Sequence, residues 1–341
     1  MNELIINGRF YAQRLTGVQR VGKEIVRYLS QREDVKVIVA LPPDANVPED
    51  ERFSNVEYCV TGKNTGNKWE QFSLPKFCKK RKLPLLCTGN LAPFLYRSHV
   101  ILHDVTFKEK NSYAPKRSWV IKTKLMVRSY IYRSKNIFTD SEFSANRIRH
   151  FYKRIKNITV LNLGYEHIQR LKSQSVSGLP DKFFLSVGSV NPNKNFQYIL
   201  KLASNNPALT FVIAGKKRAF SNYVCNMNLK NVIFTDYVTD EQLKWLYENC
   251  YGFILPSLYE GFGMPPLEAA VAGCRRLYLS DIPVFREIYA GCAKFFNPND
   301  YQNTVDLNED INIPEEKFNE LFKKYNWRQT VETICNSIFG N

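Results

Sequence analysis

Pro256-Ser257-Leu258-Tyr259-Glu260-Gly261-Phe262-Gly263-Met264-Pro265-Pro266-Leu267-Glu268-Ala269 is the stretch on which the reading of this chain turns. Just before it, Tyr251 to Leu255 is a short apolar run with the character of a buried strand. Just after it, Pro265-Pro266 stands where a helix begins, and Leu267-Glu268-Ala269-Ala270-Val271-Ala272 continues that helix to Gly273. Gly261 and Gly263 let the intervening backbone approach a ligand closely. Strand, glycine loop and helix N-terminus in that order suit an anion, since free N–H groups and the helix dipole both favour phosphate. Glu260, in the loop, faces whatever lies beyond the phosphates; Glu268, in the first helical turn, can accept hydrogen bonds from sugar hydroxyls. An ordinary strand-turn-helix connection would give the same spacing, so the residue types have to decide.

The bulk properties narrow the classes. At 341 residues the chain can form two domains, each with its own core, and 44% hydrophobic with 23% charged residues is globular composition. No apolar run approaches the ~20 residues that span a bilayer. Met1-Asn2-Glu3-Leu4-Ile5-Ile6 lacks a basic region followed by a long apolar core, so no signal peptide is expected and the location expected is cytoplasmic. Eight scattered cysteines without a Cys-x-x-Cys pair point to free thiols, and four histidines make a protein-built metal site unexpected. The net charge of +16 is localised: residues 68–156 hold 21 Lys/Arg against 5 Asp/Glu, and the remainder holds 27 of each sign. One basic face and an acidic partner follow, with a merely solvated face as the alternative.

A first strand, Leu4-Ile5-Ile6, leads into Asn7-Gly8-Arg9-Phe10 and Thr16-Gly17-Val18-Gln19-Arg20, then a helix patterned Val21, Ile25, Val26, Leu29. The absence of Gly-x-Gly-x-x-Gly argues against an ordinary dinucleotide site. Further strands are expected at Val35 to Leu41, Val56 to Val60, Leu85 to Cys87, and Val100 to Leu102, the last ending in His103-Asp104. Ionisable groups at the carboxyl end of a buried strand stand where open α/β sheets bind ligands, although a histidine there is as often structural. From Arg117 to Ser134 aromatic and aliphatic residues alternate with cations, the mark of a membrane-surface helix or of a domain helix with solvated lysines. With Lys79-Lys80-Arg81-Lys82 and Arg147 to Lys156 added, membrane contact is favoured, and no nucleic-acid motif accompanies the charge. Ile137-Phe138-Thr139-Asp140-Ser141-Glu142-Phe143-Ser144 reads as a strand, an N-cap and a helix start, and Gln169 to Pro180 has the composition of a linker. The second half opens with strand Phe183 to Val187, then Gly188-Ser189-Val190-Asn191-Pro192-Asn193-Lys194-Asn195 and a helix.

The residues from Pro256 to Ala269 closely resemble the Glu-x7-Glu signature of retaining glycosyltransferases of family 4, with Glu260 and Glu268 in the two glutamate positions. Thr16 to Arg20, Ser141 to Ser144, Gly188 to Lys194, Asp236 to Leu243, Asp281 to Glu287 and Phe296 to Asp300 resemble the same family, so the likeness runs almost end to end. It implies an α/β GT-B fold: a Rossmann-like acceptor domain at 1–172, a Rossmann-like nucleotide-sugar domain at 173–325 facing it across a cleft, and a helix at 326–341 returning to the first domain. It implies transfer of a sugar from a GDP-, UDP- or dTDP-linked donor to a lipid-linked oligosaccharide of bacterial surface polysaccharide, without cofactor or metal, on the inner face of the cytoplasmic membrane. Other GT-B enzymes, such as a nucleotide-sugar epimerase or a phosphorylase, and a non-catalytic basic binding protein are the alternatives. Carried onto this chain, the resemblance makes Glu260, His103, Asp104 and Lys194 catalytic. Gly17, Gly188, Lys194, Val238, Glu260, Gly261, Phe262, Gly263, Leu267 and Glu268 would then hold the donor. Relatives carry an arginine where this chain has Ser189 or Asn193, so Lys216, Lys217, Arg218 or Arg20 would have to supply the second cation.

Overall fold

Val35–Leu41 buries every residue but Lys36, and Phe184–Val187, Phe211–Ala214 and Gly252–Leu255 are as apolar and nearly as enclosed. Strands hidden on both faces belong to parallel sheets covered by helices on either side. In the computed structural model of this chain, residues 1–109, 117–155, 157–188, 191–215, 229–309 and 311–340 are described. The chain divides into two units, one formed by residues up to Gly164 together with those from Asn326 onward, the other by Tyr165–Tyr325.

The first unit holds a sheet ordered β3-β2-β1-β4-β5-β6-β7, from β1 (Asn2–Asn7), β2 (Val35–Leu41), β3 (Val56–Val60), β4 (Leu85–Cys87), β5 (His99–Ile101), β6 (Ile137–Thr139) and β7 (Ile158–Val160). The second holds a sheet ordered β10-β9-β8-β11-β12-β13, from β8 (Phe184–Val187), β9 (Phe211–Ala214), β10 (Val232–Phe234), β11 (Gly252–Leu255), β12 (Leu277–Ser280) and β13 (Lys294–Phe296). Every strand pairing is parallel, with Leu4 opposite Val37 and Phe253 opposite Leu277. In chain order the helices used below are α1 (Gly17–Leu29), α2 (Leu74–Arg81), α3 (Arg117–Ile131), α4 (Glu142–Phe151), α5 (Glu166–Arg170), α6 (Phe196–Asn205), α7 (Asp240–Asn249), α8 (Met264–Val271), α9 (Pro283–Tyr289), α10 (Glu315–Lys324) and α11 (Trp327–Phe339). Each sheet reverses its winding once, between β1 and β4 and between β8 and β11; crevices that accept ligands open at the carboxyl ends of strands beside such reversals. This is the GT-B architecture of two Rossmann-like units.

Local chemistry sets the element ends. Ser141 caps α4 by accepting from the Ser144 amide at 3.0 Å, as its place before Glu142 foretold. The polar stretch 169–180 differs from the expected linker. Gln174 donates its amide to the Glu241 carbonyl at 3.1 Å, and Lys244 Nζ donates to the Leu171 carbonyl at 2.9 Å, so its first part is strapped to the α7 region of the second unit. Polar composition marks exposure, and an exposed strap has the same composition as a free linker.

Helix α11 belongs to the first unit. Trp327 is fully buried there, the Thr330 hydroxyl donates to the Asn162 carbonyl, and Asn136 Nδ2 donates to the Ser337 carbonyl at 2.5 Å. Emptying the Trp327 site should cost about 3–5 kcal/mol. Trp327→Ala is therefore expected to lose amide-exchange protection across β1, β2 and α1 while β8 and β11 keep theirs; equal loss in both sheets would contradict the assignment of α11 to the first unit.

Candidate functional site

The second unit's winding reversal brings two loops together. The loop after β8 carries Gly188 and Lys194, and the loop after β11 carries Ser257 to Gly263. The Leu258 amide donates to the Asn193 carbonyl at 2.7 Å, and Asn193 Nδ2 donates to the Tyr259 carbonyl at 3.3 Å, which stitches them side by side. Asn195 adopts the left-handed conformation at φ 51° and fixes the far end, donating to the Pro298 carbonyl and accepting from the Tyr301 hydroxyl. Lys194 Nζ then donates to Glu260 Oε1 at 2.6 Å, and Ser257 Oγ donates to the same oxygen at 2.6 Å. The two charged side chains are only 15% and 11% exposed, so this ion pair is largely desolvated.

Gly188 and Gly263 flank the pair, and of the two only Gly263 requires glycine. A Cβ on Gly188 would lie 3.5 Å from Lys194 Cδ, so the lysine stem runs across that backbone. Gly263 has φ +87°, and a Cβ there would come within 2.5 Å of Phe285, so both conformation and space exclude a side chain. Gly263 is the N-cap of α8, whose first three residues are Met264, Pro265 and Pro266. Two prolines remove two amide donors, so of those three only Met264 can offer an N–H; the helix end keeps its dipole but is a leaner anion site than its sequence outline suggests.

Glu268 is buried, with its oxygens engaged inside the unit: His167 Nε2 lies 2.9 Å from Oε1, and the Tyr247 hydroxyl donates to Oε2 at 2.8 Å. The sequence reading missed both partners. His167 is 101 residues from Glu268, and no spacing links them. Phe262 packs edge-on against Tyr325 at 5.4 Å and Leu267 is 1% exposed, so these two offer a ligand their backbone and not their side chains. Val238 is half-buried just before Thr239, the N-cap of α7, and Gly261 lies in the same loop as Glu260. Lys216, Lys217, Arg218 and Ser189 lie outside the described residues.

In the first unit, Gly17 is the first residue of α1, behind a Thr16–Gln19 capping box, and Arg20 is half-buried one turn on. His103 follows β5 and is buried. Its Nε2 lies 2.9 Å from the Thr88 carbonyl and its Nδ1 2.7 Å from Asp140 Oδ2. Both partners are acceptors, so the arrangement favours hydrogen on both nitrogens, the imidazolium form. Burial alone would push its pKa down; the Asp140 carboxylate and the Thr88 carbonyl outweigh that and hold it above the usual histidine value. Asp104 is pushed above the usual carboxylate range by burial, while its Oδ1 accepts from the Thr106 amide at 2.9 Å and hydroxyl at 2.7 Å. In that doubly protonated form His103 has no nitrogen lone pair to act as a base. Among the described residues, no cluster of three or more His, Cys, Asp or Glu could hold a metal ion, and no helix is long and apolar enough to cross a membrane.

Residues 167–302, inside the second unit, match the family model for glycosyl transferases group 1. The serotype-specific mannosyltransferase WbdA of Escherichia coli is 29% identical over 219 residues, 58% of this chain and 26% of that protein. The O-antigen chain mannosyltransferase RfbU of Salmonella typhimurium is 27% identical over 275 residues, 77% of this chain and 74% of its own. The chain spans about a quarter of the length of the WbdA proteins it matches. Anabaena HepE, solved in complex with UDP, has the same fold over 100% of both chains, with a TM-score of 0.70 at 14% identity. The chain has the GT-B fold, and its second unit is similar to the group 1 glycosyl transferases. Both relatives named above are mannosyltransferases, one of them of the O-antigen chain.

The His103–Asp140 pair makes stability depend on pH with a definite sign. A histidine with a raised folded pKa stabilises fully below the unfolded value of ~6.5, and that contribution is lost as pH rises through the folded pKa. The melting temperature of the wild type should exceed that of His103→Asn most at pH 6, with the gap narrowing towards pH 9. A gap that widens with pH would show the ring to be neutral.

Proposed function

We propose that this chain is a retaining, metal-independent glycosyltransferase of family 4. It moves a sugar from a GDP-, UDP- or dTDP-linked donor to a lipid-linked glycan in the synthesis of O-antigen, capsule or exopolysaccharide. The observation that carries the reading is the desolvated Lys194–Glu260 pair at the winding reversal of the second sheet, between Gly188 and Gly263. A lysine already out of water and held by one carboxylate is poised to exchange it for a diphosphate, a stronger anion. Glu260, released from Lys194, is then available to orient donor-sugar hydroxyls with Ser257 still beside it. Glu268, fixed by His167 and Tyr247, can still accept from ribose hydroxyls, because each carboxylate oxygen has more than one lone-pair direction.

A double displacement on a sugar needs two carboxylates about 5 Å apart, one of them free to attack. With Glu268 locked among partners, the chemistry favoured is front-face: the leaving phosphate accepts the acceptor's proton, and Lys194 with the α8 N-terminus stabilises the separated charge. His103 and Asp104 serve as positioning groups on the acceptor side, and Val238 and Gly17 as backbone contacts to base and diphosphate. The basic segment 68–156 seats the enzyme on the inner face of an anionic cytoplasmic membrane, and nucleic acid is not a partner.

Lys194→Ala should lower turnover about 10²–10³-fold, the worth of one preorganised charge at a developing anion. Glu260→Gln, which keeps the shape and frees the lysine, should lower kcat with nucleoside-diphosphate binding intact or tighter. The assay is radiolabelled sugar transfer to lipid-linked acceptor in EDTA, with the anomeric configuration read by NMR. Near-normal rates for Lys194→Ala, an inverted product, or turnover that returns only with added magnesium would refute the proposal.

A further inference from the structure

Helix α3 buries Val127, Tyr130 and Ile131, at 0%, 2% and 1% exposure. Its opposite face is not polar. Ile121 is 54% exposed, Leu125 64%, and Tyr132, just past the helix, 48%. With Arg128 these residues recur at intervals of four, three and four, one line along the helix. The outward face of a surface helix is normally polar. Large aliphatics there, flanked by Lys122, Lys124 and Arg128, are the pattern of a helix suited to a membrane interface.

At the end of that line Arg128, Tyr132, Phe151, Lys153 and Arg154 line a cavity of about 370 Å³. Three cations and two aromatic rings converge, and no acidic side chain shares the lining. None of the three cations forms an ion pair among the described residues. The nearby Lys108 is held below the usual lysine value by burial and by repulsion from Lys124 and Arg128, so the positive field extends beyond the cavity. Charge complementarity asks for an anion; the aromatic walls and the aliphatic line ask for one with apolar chains. We propose that this cavity binds the phosphate head group of an anionic bilayer lipid while Ile121 and Leu125 rest at the acyl boundary. The inference deepens the membrane-seating part of the proposed function and stands apart from its sugar chemistry.

The test compares two triple variants that remove equal charge from the basic segment. Arg128→Gln/Lys153→Gln/Arg154→Gln empties the cavity of cations; Lys79→Gln/Lys80→Gln/Lys82→Gln acts at and just past the end of α2. The probes are vesicles of phosphatidylcholine with and without phosphatidylglycerol, and short-chain phosphatidylglycerol below its micelle concentration, which offers a head group without a bilayer field. Wild type and the α2 variant should bind the monomeric lipid alike, and the cavity variant should bind it at least about tenfold more weakly, the worth of ~1.4 kcal/mol. The cavity variant should also be the weaker of the two on phosphatidylglycerol vesicles, and Leu125→Asn should weaken vesicle binding alone. Equal losses in both triple variants, with no monomer binding by wild type, would leave only diffuse attraction and overturn the site. Inorganic phosphate binding as tightly as the lipid would overturn it in favour of a free-anion site, and a polyprenyl diphosphate that alone occupies the cavity would assign it to the acceptor. Nucleotide-sugar binding, measured on the same preparations, should be unchanged in every variant. Its absence from the wild type would sink the glycosyltransferase reading while leaving the lipid result standing.

Discussion

Lys194 and Glu260 come from loops 66 residues apart and meet as an ion pair at 2.6 Å with little water around them. Taking two charges out of water is costly, and their attraction offsets that cost only while they stay paired. The surroundings are built to keep them paired: Ser257 shares the glutamate oxygen, and Asn193 and Asn195 hold the loop against its neighbour. A pair of this kind is stable without ligand and exchangeable with one, because an incoming anion replaces the partner that the lysine gives up. That property is what the proposed sugar-nucleotide chemistry draws on.

The sheets explain why the pair stands where it does. Parallel strands must be joined by crossovers, and where the winding reverses, two adjacent loops leave in opposite directions and open a crevice between them. In the second unit those loops follow β8 and β11 and carry Lys194 and Glu260; in the first, Asn7 ends β1, Thr88 follows β4, and His103 lies two residues past the end of β5. The first unit buries a separate charge network there. Asn7 Nδ2 and Arg9 donate to the two oxygens of Glu70 at 2.7 and 2.6 Å, and His103 bonds Asp140, so the polar groups at these strand ends are fixed before any ligand arrives.

Much of this was legible in the sequence, for a physical reason. Parallel strands are continuous apolar runs ended by glycine, proline or polar residues, so β2, β3, β4, β6, β8 and β11 can be read almost to the residue. The glycine loop before Met264 was legible as a candidate site because a helix start and a close backbone approach call for those residue types together. What the sequence hid were partnerships across distance: His167 with Glu268, and His103 with Asp140, 37 residues apart. Hydrogen bonding between remote residues leaves no periodic trace. The two prolines at the start of α8 were visible, yet their effect on the anion site emerges only when the amide donors of that turn are counted one by one. The strap at 169–180 was hidden for another reason, since composition reports solvent exposure and not tethering.

The most direct measurement is a crystal structure of the protein with a nucleoside diphosphate bound. The account predicts diphosphate oxygens in the crevice after β8 and β11, with Lys194 Nζ moved from Glu260 Oε1 onto a phosphate oxygen and Glu260 still accepting from Ser257. Diphosphate bound elsewhere, or bound in the crevice with the Lys194–Glu260 pair intact, would contradict it.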